Sequence, residues 1–554
     1  MKNTDYSEKK STSNKNPSLL ASGLALSFFT LCSRILGLVR EMTKASFLGT
    51  TKFADAFGIA FMIPNLLRRL FAENSISVAF IPTFKHYLED SSSREGYQST
   101  KDFLNATLTL ISFCTTIVVI IGIVVAPFLV PIFLDSKDSE LLRETAFLTR
   151  IMFPYLFVIS VAAFFQGILN GVKIFSPSGF TPVLFNTIVI SVTYILTPIL
   201  TKSITDAELR ACFAARAMAV GVILGGCVQA IFQLPFVIKT GWKCHFTSLK
   251  KAFSNPGTKK VISLIVPTIL GMAAYQLNDV VSTALAGKAG TGIVSSLQYS
   301  LRLQELILGI FAVSIGTVIL PDLSGLAKSE QWKEFNNLLT QAIKIIALIS
   351  IPVTFYSLLN GKEIISLVYK SKSFDDKSVS LTLNAFTWHI VGLFFIAMNR
   401  VVSPAFYAQG NTKSPALAGI LGFVFNILFA ILFVSPLKGG GIALALSLAS
   451  FANSVFLFAF LRKNKSININ SVIKGSILYA SKIIVFSAIA LIPTFFVKNL
   501  CISAFSNYNR IICYGMPLLL TFFTFASIGI LLLLITKDSI VKSIVLTVKR
   551  RLSK

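Results

Sequence analysis

About fourteen apolar stretches of 20 or more residues, separated by short basic loops, constrain this chain more than any other feature. A helix of about 20 apolar residues spans the roughly 30 Å hydrocarbon core of a bilayer. Helices satisfy their own backbone hydrogen bonds there, where no water can. The rest of the composition agrees: 14% of the residues are charged and 54% hydrophobic, with a mean hydropathy of +0.74. A soluble domain carries about 25% charge, so no water-facing surface can be built from this chain. A disordered chain is excluded for the opposite reason, an excess of apolar surface. The expected fold is an all-α polytopic membrane protein.

The spans read roughly 19–45, 53–84, 104–134, 144–170, 180–202, 211–238, 259–287, 292–325, 336–360, 379–408, 412–436, 439–462, 472–497 and 509–536. Residues 1–17 form a polar, basic tail, and the first span has no cleavage site, so it reads as a retained helix. With the N-terminus in the cytoplasm, the loops and tails on that side carry about 27 Lys and Arg against about 15 opposite. An even span count then puts both termini inside. The excess of 51 basic over 24 acidic residues follows from that bias rather than from nucleic-acid binding.

A repeat runs at an offset of about 239 residues: Ser75–Pro82 aligns with Ser314–Pro321, and Gly171 with Gly410. Each glycine lies in a polar turn followed by Ser-Pro, with Asn186 and Asn426 in the next span. Six spans per half keep both halves in one orientation, related by an axis along the membrane normal, with a substrate site between the lobes. The expected organisation is a tail over 1–17, an N-lobe over 18–240, a C-lobe over 241–465, two appended spans over 466–537 and a basic tail over 538–554.

Charges inside the spans carry the functional signal, because each costs roughly 2.5–3.5 kcal/mol near a helix centre. The first span holds Arg34, Arg40 and Glu41; the second holds Asp55, Asn65, Arg68, Arg69 and Glu73; the eighth holds Arg302 and Glu305. Same-helix pairing offers another account of Arg69 with Glu73 and of Arg302 with Glu305. Arg40, Glu41 and Arg400 sit near span ends and can snorkel. Asp55 is placed to cap a helix. Arg34 and Arg68 have no acid three or four residues away. Guanidinium groups suit phosphate and carboxylate, so a cavity lined by these residues attracts an anionic headgroup. In the second half, Asn278, Asp279 and Asn426 are candidate ligands for a hard cation or partners in helix–helix hydrogen bonds. Pro64, Pro82, Pro154, Pro267 and Pro321 permit kinks, static or bending. Seven cysteines show no CxxC spacing, although Cys501 and Cys513 could meet near one membrane face; three histidines form no cluster.

The stretches Ser33–Glu41, Asp55–Phe57 and Pro64–Glu73 closely resemble the MurJ (MviN) family of lipid II flippases, as do Gln229–Pro235, Tyr299–Glu305 and Gly316–Pro321. The resemblance covers most of the chain through span 12. It implies membership of the superfamily of multidrug exporters and polysaccharide flippases. The activity it implies is movement of undecaprenyl-pyrophosphate-linked peptidoglycan precursor from the inner to the outer leaflet, by alternating access and without covalent chemistry. It carries function to Arg34, Arg40, Asp55, Arg68 and Arg302, and to Glu41, where the family usually has Asp. Leu301 stands where relatives often have an acid, and Met62 where some have Lys. No cofactor is implied; a Na⁺ or H⁺ gradient or the membrane potential supplies energy. The implied partners are lipid II, membrane lipid (along a groove of spans 13 and 14) and cell-wall synthesis machinery. The nearest alternatives are a flippase for another polyprenyl-pyrophosphate-linked glycan and a drug/cation antiporter, which predicts an acidic cavity.

Overall fold

The computed structural model describes residues 19–70, 76–134, 138–538 and 540–542. These residues form eighteen α-helices and one π-helical stretch, Ile76–Phe80. The N-terminal half holds α1 (Leu19–Leu48), α2 (Lys52–Arg68), α3 (Ile81–Asp90), α4 (Arg94–Phe133), α5 (Ser139–Met152), α6 (Pro154–Gly171), α7 (Ser176–Leu200) and α8 (Ala207–Lys239). A linker with the short α9 (Leu249–Ser254) leads to α10 (Pro256–Ala289), α11 (Ile293–Lys328), α12 (Trp332–Tyr369), α13 (Asp376–Val391), α14 (Leu393–Tyr407), α15 (Lys413–Leu437) and α16 (Gly439–Leu461). Last come α17 (Ile469–Phe505) and α18 (Arg510–Ile535).

Helix starts follow the cap chemistry. Side chains of Thr51, Ser93, Asp138, Asp206, Asn255, Asp375 and Asn509 each accept from a backbone N–H in the first turn that follows, satisfying donors that have no partner inside the helix. The α5–α6 break falls at Pro154, which cannot supply an N–H.

Among the described residues, nine helices are long and apolar enough to cross a bilayer, or ten with the bent pair α13–α14, where α5 and α6 count as one. The helices outside that set include α1, α2, α10 and α11. Helix α2 is 17 residues long, and all four carry charged side chains within their apolar sequence. With them the spans number fourteen, as the sequence implies. Two cores reflect two lobes: one packs Phe53, Met152, Tyr155, Phe185 and Met218, the other Tyr299, Phe335, Ile346, Phe386 and Leu457. Helices α17 and α18 pack on each other and on α12, at the edge of the C-lobe.

Candidate functional site

A cavity of about 660 Å³ lies between the lobes, with α1, α2, α10 and α11 contributing its charged walls. Arg40, Glu41, Asn65, Arg69, Asn278, Asp279, Arg302, Glu305 and Asn426 all line it. Arg40 donates to Glu41 at 2.9 Å and to Asn186 Oδ1 on α7 at 3.2 Å, while Asn186 Nδ2 donates to the Ser33 carbonyl. Arg40 is therefore held inward by α7 rather than snorkelling. Arg302 pairs with Glu305 at 3.4 Å, the same-helix pair that their spacing allows. Arg400 also lines the cavity, despite its place near a span end.

Other residues turn out differently. Arg34, Asp55 and Arg68 are not among the cavity-lining residues. Arg34 lies against Gly309 of α11, where a Cβ would fall 1.4 Å from Nη1. Arg68 donates from Nε to Asn65 Oδ1 at 3.0 Å. Asp55 does cap a helix, but in the other lobe: its carboxylate accepts the N–H of Gly292 at 2.5 Å and of Ser295 at 2.8 Å, at the start of α11. Periodicity within one segment cannot reveal a cap donated across 237 residues. Glu73 lies outside the described residues; its expected partner Arg69 reaches across the lobes to Asp279 at 3.2 Å and to Gln276 at 3.4 Å.

The proposed cation ligands are engaged with protein. Asn426 Nδ2 donates to Asn278 Oδ1 at 2.5 Å and to Ser282 at 3.4 Å, and the Asp279 carboxylate faces Arg69. The repeat makes this legible. Arg40 and Asp279 differ by the same 239 positions, and each sits beside the asparagine helix of its own half, α7 or α15. Related positions thus carry opposite charge. All seven cysteines, Cys501 and Cys513 included, are free thiols.

One end of the cavity is sealed by polar contacts between lobes. Besides the Asp55 cap, Tyr299 donates to the Gly49 carbonyl at 2.9 Å, and Thr50 and Ser378 hydroxyls meet at 2.8 Å. Gly49, at φ +56°, turns the chain between α1 and α2 so closely over Ser373 that a Cβ would fall 2.0 Å from its carbonyl oxygen. We call this the α1–α2 face, and the opposite one, with residues 239–256, the linker face.

Sequence reasoning missed Lys44, Gln298 and His389, which also line the cavity. Lys44 is 3% exposed, and nothing in its place at the end of the first span signals that burial. The buried His389 ring meets Ser300 Oγ at 2.6 Å and its carbonyl accepts from Gln304, a network within the C-lobe.

Residues 44–508 match the family model "Lipid II flippase MurJ". The chain belongs to the MurJ family. A probable lipid II flippase MurJ of Treponema pallidum (strain Nichols) is 48% identical over 523 residues, covering 94% of this chain and 96% of that one. A lipid II flippase MurJ of Burkholderia cenocepacia is 30% identical over 444 residues, covering 79% and 83%. Among solved structures, a lipid II flippase MurJ in an inward closed conformation superimposes with a TM-score of 0.72 at 25% identity, over 93% of this chain and 99% of that one. An inward-facing multidrug transporter of the MATE family shares the fold, with a TM-score of 0.62 at 16% identity over 82% and 99%. The MurJ assignment accounts for the two lobes, the span count and the Arg-bearing walls together, and marks the chain as a transporter rather than an enzyme.

Proposed function

We propose that this MurJ-family flippase holds the pyrophosphate and peptide carboxylates of lipid II against Arg40, Arg69 and Arg302 while the polyprenyl tail stays in lipid. The observation that carries this reading is the charge of the cavity wall: five basic residues (Arg40, Lys44, Arg69, Arg302, Arg400) against three acidic ones (Glu41, Asp279, Glu305). An oxyanion entering between Arg40–Glu41 and Arg302–Glu305 gains charge-assisted hydrogen bonds without stripping water from a bare carboxylate. An organic cation meets net repulsion, which counts against a drug antiporter. Relative motion of the lobes then exposes the cavity to each side in turn.

The linker face is assigned to the cytoplasm, with both termini. Support comes from Lys239, Lys243, Lys250, Lys251, Lys259 and Lys260 at the linker and Arg462, Lys463 and Lys465 after α16. The sealed α1–α2 face is then the outer one, and the Asp55 cap is its latch. The polyprenyl tail is assigned to the lipid-facing side of α17 and α18, where Leu478, Leu500 and Phe523 are exposed. Because loaded and empty cavities differ in net charge, the membrane potential acts on them unequally; one charge across 100 mV is worth about 2.3 kcal/mol. That potential, or a Na⁺ or H⁺ gradient, is the proposed energy source. Contacts with cell-wall synthesis machinery belong to the same proposal, since the exposed product is its substrate.

Complementation tests the reading. Cells depleted of their own lipid II flippase receive the wild type, Arg40→Ala or Arg302→Ala, with outer-leaflet lipid II and membrane expression scored together. Rescue by the wild type, lost in well-expressed variants, supports the basic cavity. Rescue by both variants removes it. A wild type that exposes only another polyprenyl-pyrophosphate-linked glycan changes the substrate.

A further inference from the structure

We propose that Lys44 is a substrate-binding cation that rests on the C-lobe between transport events and passes to an oxyanion of the lipid-linked substrate when the lobes part. This rests on the flippase reading above. Three of the five basic residues on the cavity wall are already matched with carboxylates: Arg40 with Glu41, Arg69 with Asp279, and Arg302 with Glu305. Among the described residues, Lys44 and Arg400 have no carboxylate within 4 Å, so the surplus positive charge sits on them. Arg400 is exposed, whereas Lys44 is buried.

The ammonium of Lys44 has three donors. Its one hydrogen-bond partner among the described residues is Gln298 Oε1 of the C-lobe, at 2.6 Å. The faces of Tyr299 and Phe57 lie 5.0 and 5.9 Å away and add cation–π attraction. The Glu41 and Asp55 carboxylates attract the ammonium from beyond 4 Å, but each is already engaged, Glu41 by Arg40 and Asp55 by the start of α11, so Lys44 has no direct ion pair. A lysine serving only to join α1 to α11 would be expected to spend its charge on an acid, since a buried charge is expensive unless paired.

The resting contact is built for release. Gln298 is neutral, so exchanging it for a phosphate or carboxylate oxygen replaces a singly charged hydrogen bond with an ion pair. Space for the amide comes from Gly58 of α2, where a Cβ would fall 2.7 Å from Gln298 Oε1. Because Lys44 and Gln298 lie on different lobes, opening the α1–α2 face separates them, and the freed ammonium then faces whatever anion the cavity holds.

Binding measured on the full chain in lipid nanodiscs tests this, with undecaprenyl pyrophosphate and complete lipid II as probes. Lys44→Met is expected to weaken lipid II binding roughly ten-fold or more, to leave the ligand-free melting temperature unchanged or raised, and to be rescued by Lys44→Arg. Weakening with both probes identifies the pyrophosphate as the bound oxyanion; weakening with lipid II alone identifies a peptide carboxylate. Gln298→Leu, which keeps the lysine and removes its resting acceptor, is expected to bind at least as tightly as the wild type. The proposal is overturned if Lys44→Met binds both probes normally while Arg40→Gln is weakened, or if Gln298→Leu loses as much as Lys44→Met. If Arg40→Gln and Lys44→Met both bind normally, the basic-cavity reading falls with it.

Discussion

The guanidinium of Arg302 occupies the space beside Gly37: a Cβ there would fall 1.8 Å from Nη2, and that same nitrogen donates to the Arg34 carbonyl at 3.4 Å. The contact is reciprocal, because Arg34 lies on Gly309 in the same way. Helices α1 and α11 run antiparallel, and each seats its arginine on a glycine of the other. Farther toward the α1–α2 face, the same side of α11 carries Gln298 against Lys44 and Ser295 against Asp55. One face of one helix thus carries four of the interlobe contacts, at Ser295, Gln298, Arg302 and Gly309.

Substituting Gly37 separates fold from function. Gly37→Ala gains about 0.5–1 kcal/mol of helix propensity, and the atom it displaces is the end of a flexible side chain. Expression and melting temperature are therefore expected to hold while complementation falls, because Arg302 loses its seat. Gly529→Ala, with nothing within 4 Å of the added Cβ, is the matched control. Normal complementation by Gly37→Ala would show that Arg302 functions from another position.

Removing the Asp55 carboxylate opens the sealed face. Asp55→Ala leaves two first-turn N–H groups of α11 without their acceptor, and cap losses cost about 0.5–2 kcal/mol. A shift of that size moves a two-state equilibrium by a factor of about 2–30. Spin-label distances across the α1–α2 face are expected to gain a longer population, and an unchanged distribution would exclude Asp55 as the latch.

The Arg69–Asp279 pair should behave as an interlobe charge contact. Both side chains are partly exposed, at 39% and 51%, so the coupling energy is expected to be small, about 0.2–1 kcal/mol. Arg69→Asp and Asp279→Arg should each impair transport, and the double swap should recover part of it. A double variant no better than the worse single one rejects the pairing as functional.

The appended helices depend on a buried ion pair. Lys498 of α17 donates to Glu363 at 2.8 Å and to the Leu359 carbonyl at 2.6 Å, with exposures of 13% and 7%. The site adjoins Asn360, whose non-helical backbone (φ −108°, ψ 16°) kinks α12, and the neighbouring Leu359 carbonyl accepts from the ammonium. Lys498→Met strands a buried carboxylate and should cost about 3–5 kcal/mol, seen as a large fall in melting temperature. The double variant with Glu363→Leu should regain most of it.

Run length, the positive bias of alternate loops and the 239-residue repeat were sufficient, from the sequence alone, for an all-helical membrane protein of two related lobes with two helices appended. Those properties are local or periodic: a span needs only its own apolar residues, and a repeat only its own spacing. The Arg-rich segments likewise carried the family resemblance, and the charges within the spans gave most of the charged residues of the cavity wall, because an intramembrane charge is costly wherever it sits. Tertiary structure decided which charge meets which. Glu305 takes Arg302 from its own helix, Arg69 crosses the lobes to Asp279, and Asp55 caps a helix 237 residues away. Lys44 shows why: its chemistry depends on Gln298, Tyr299 and Phe57, two of them from another lobe, and spacing along α1 carries no record of neighbours that only packing brings near.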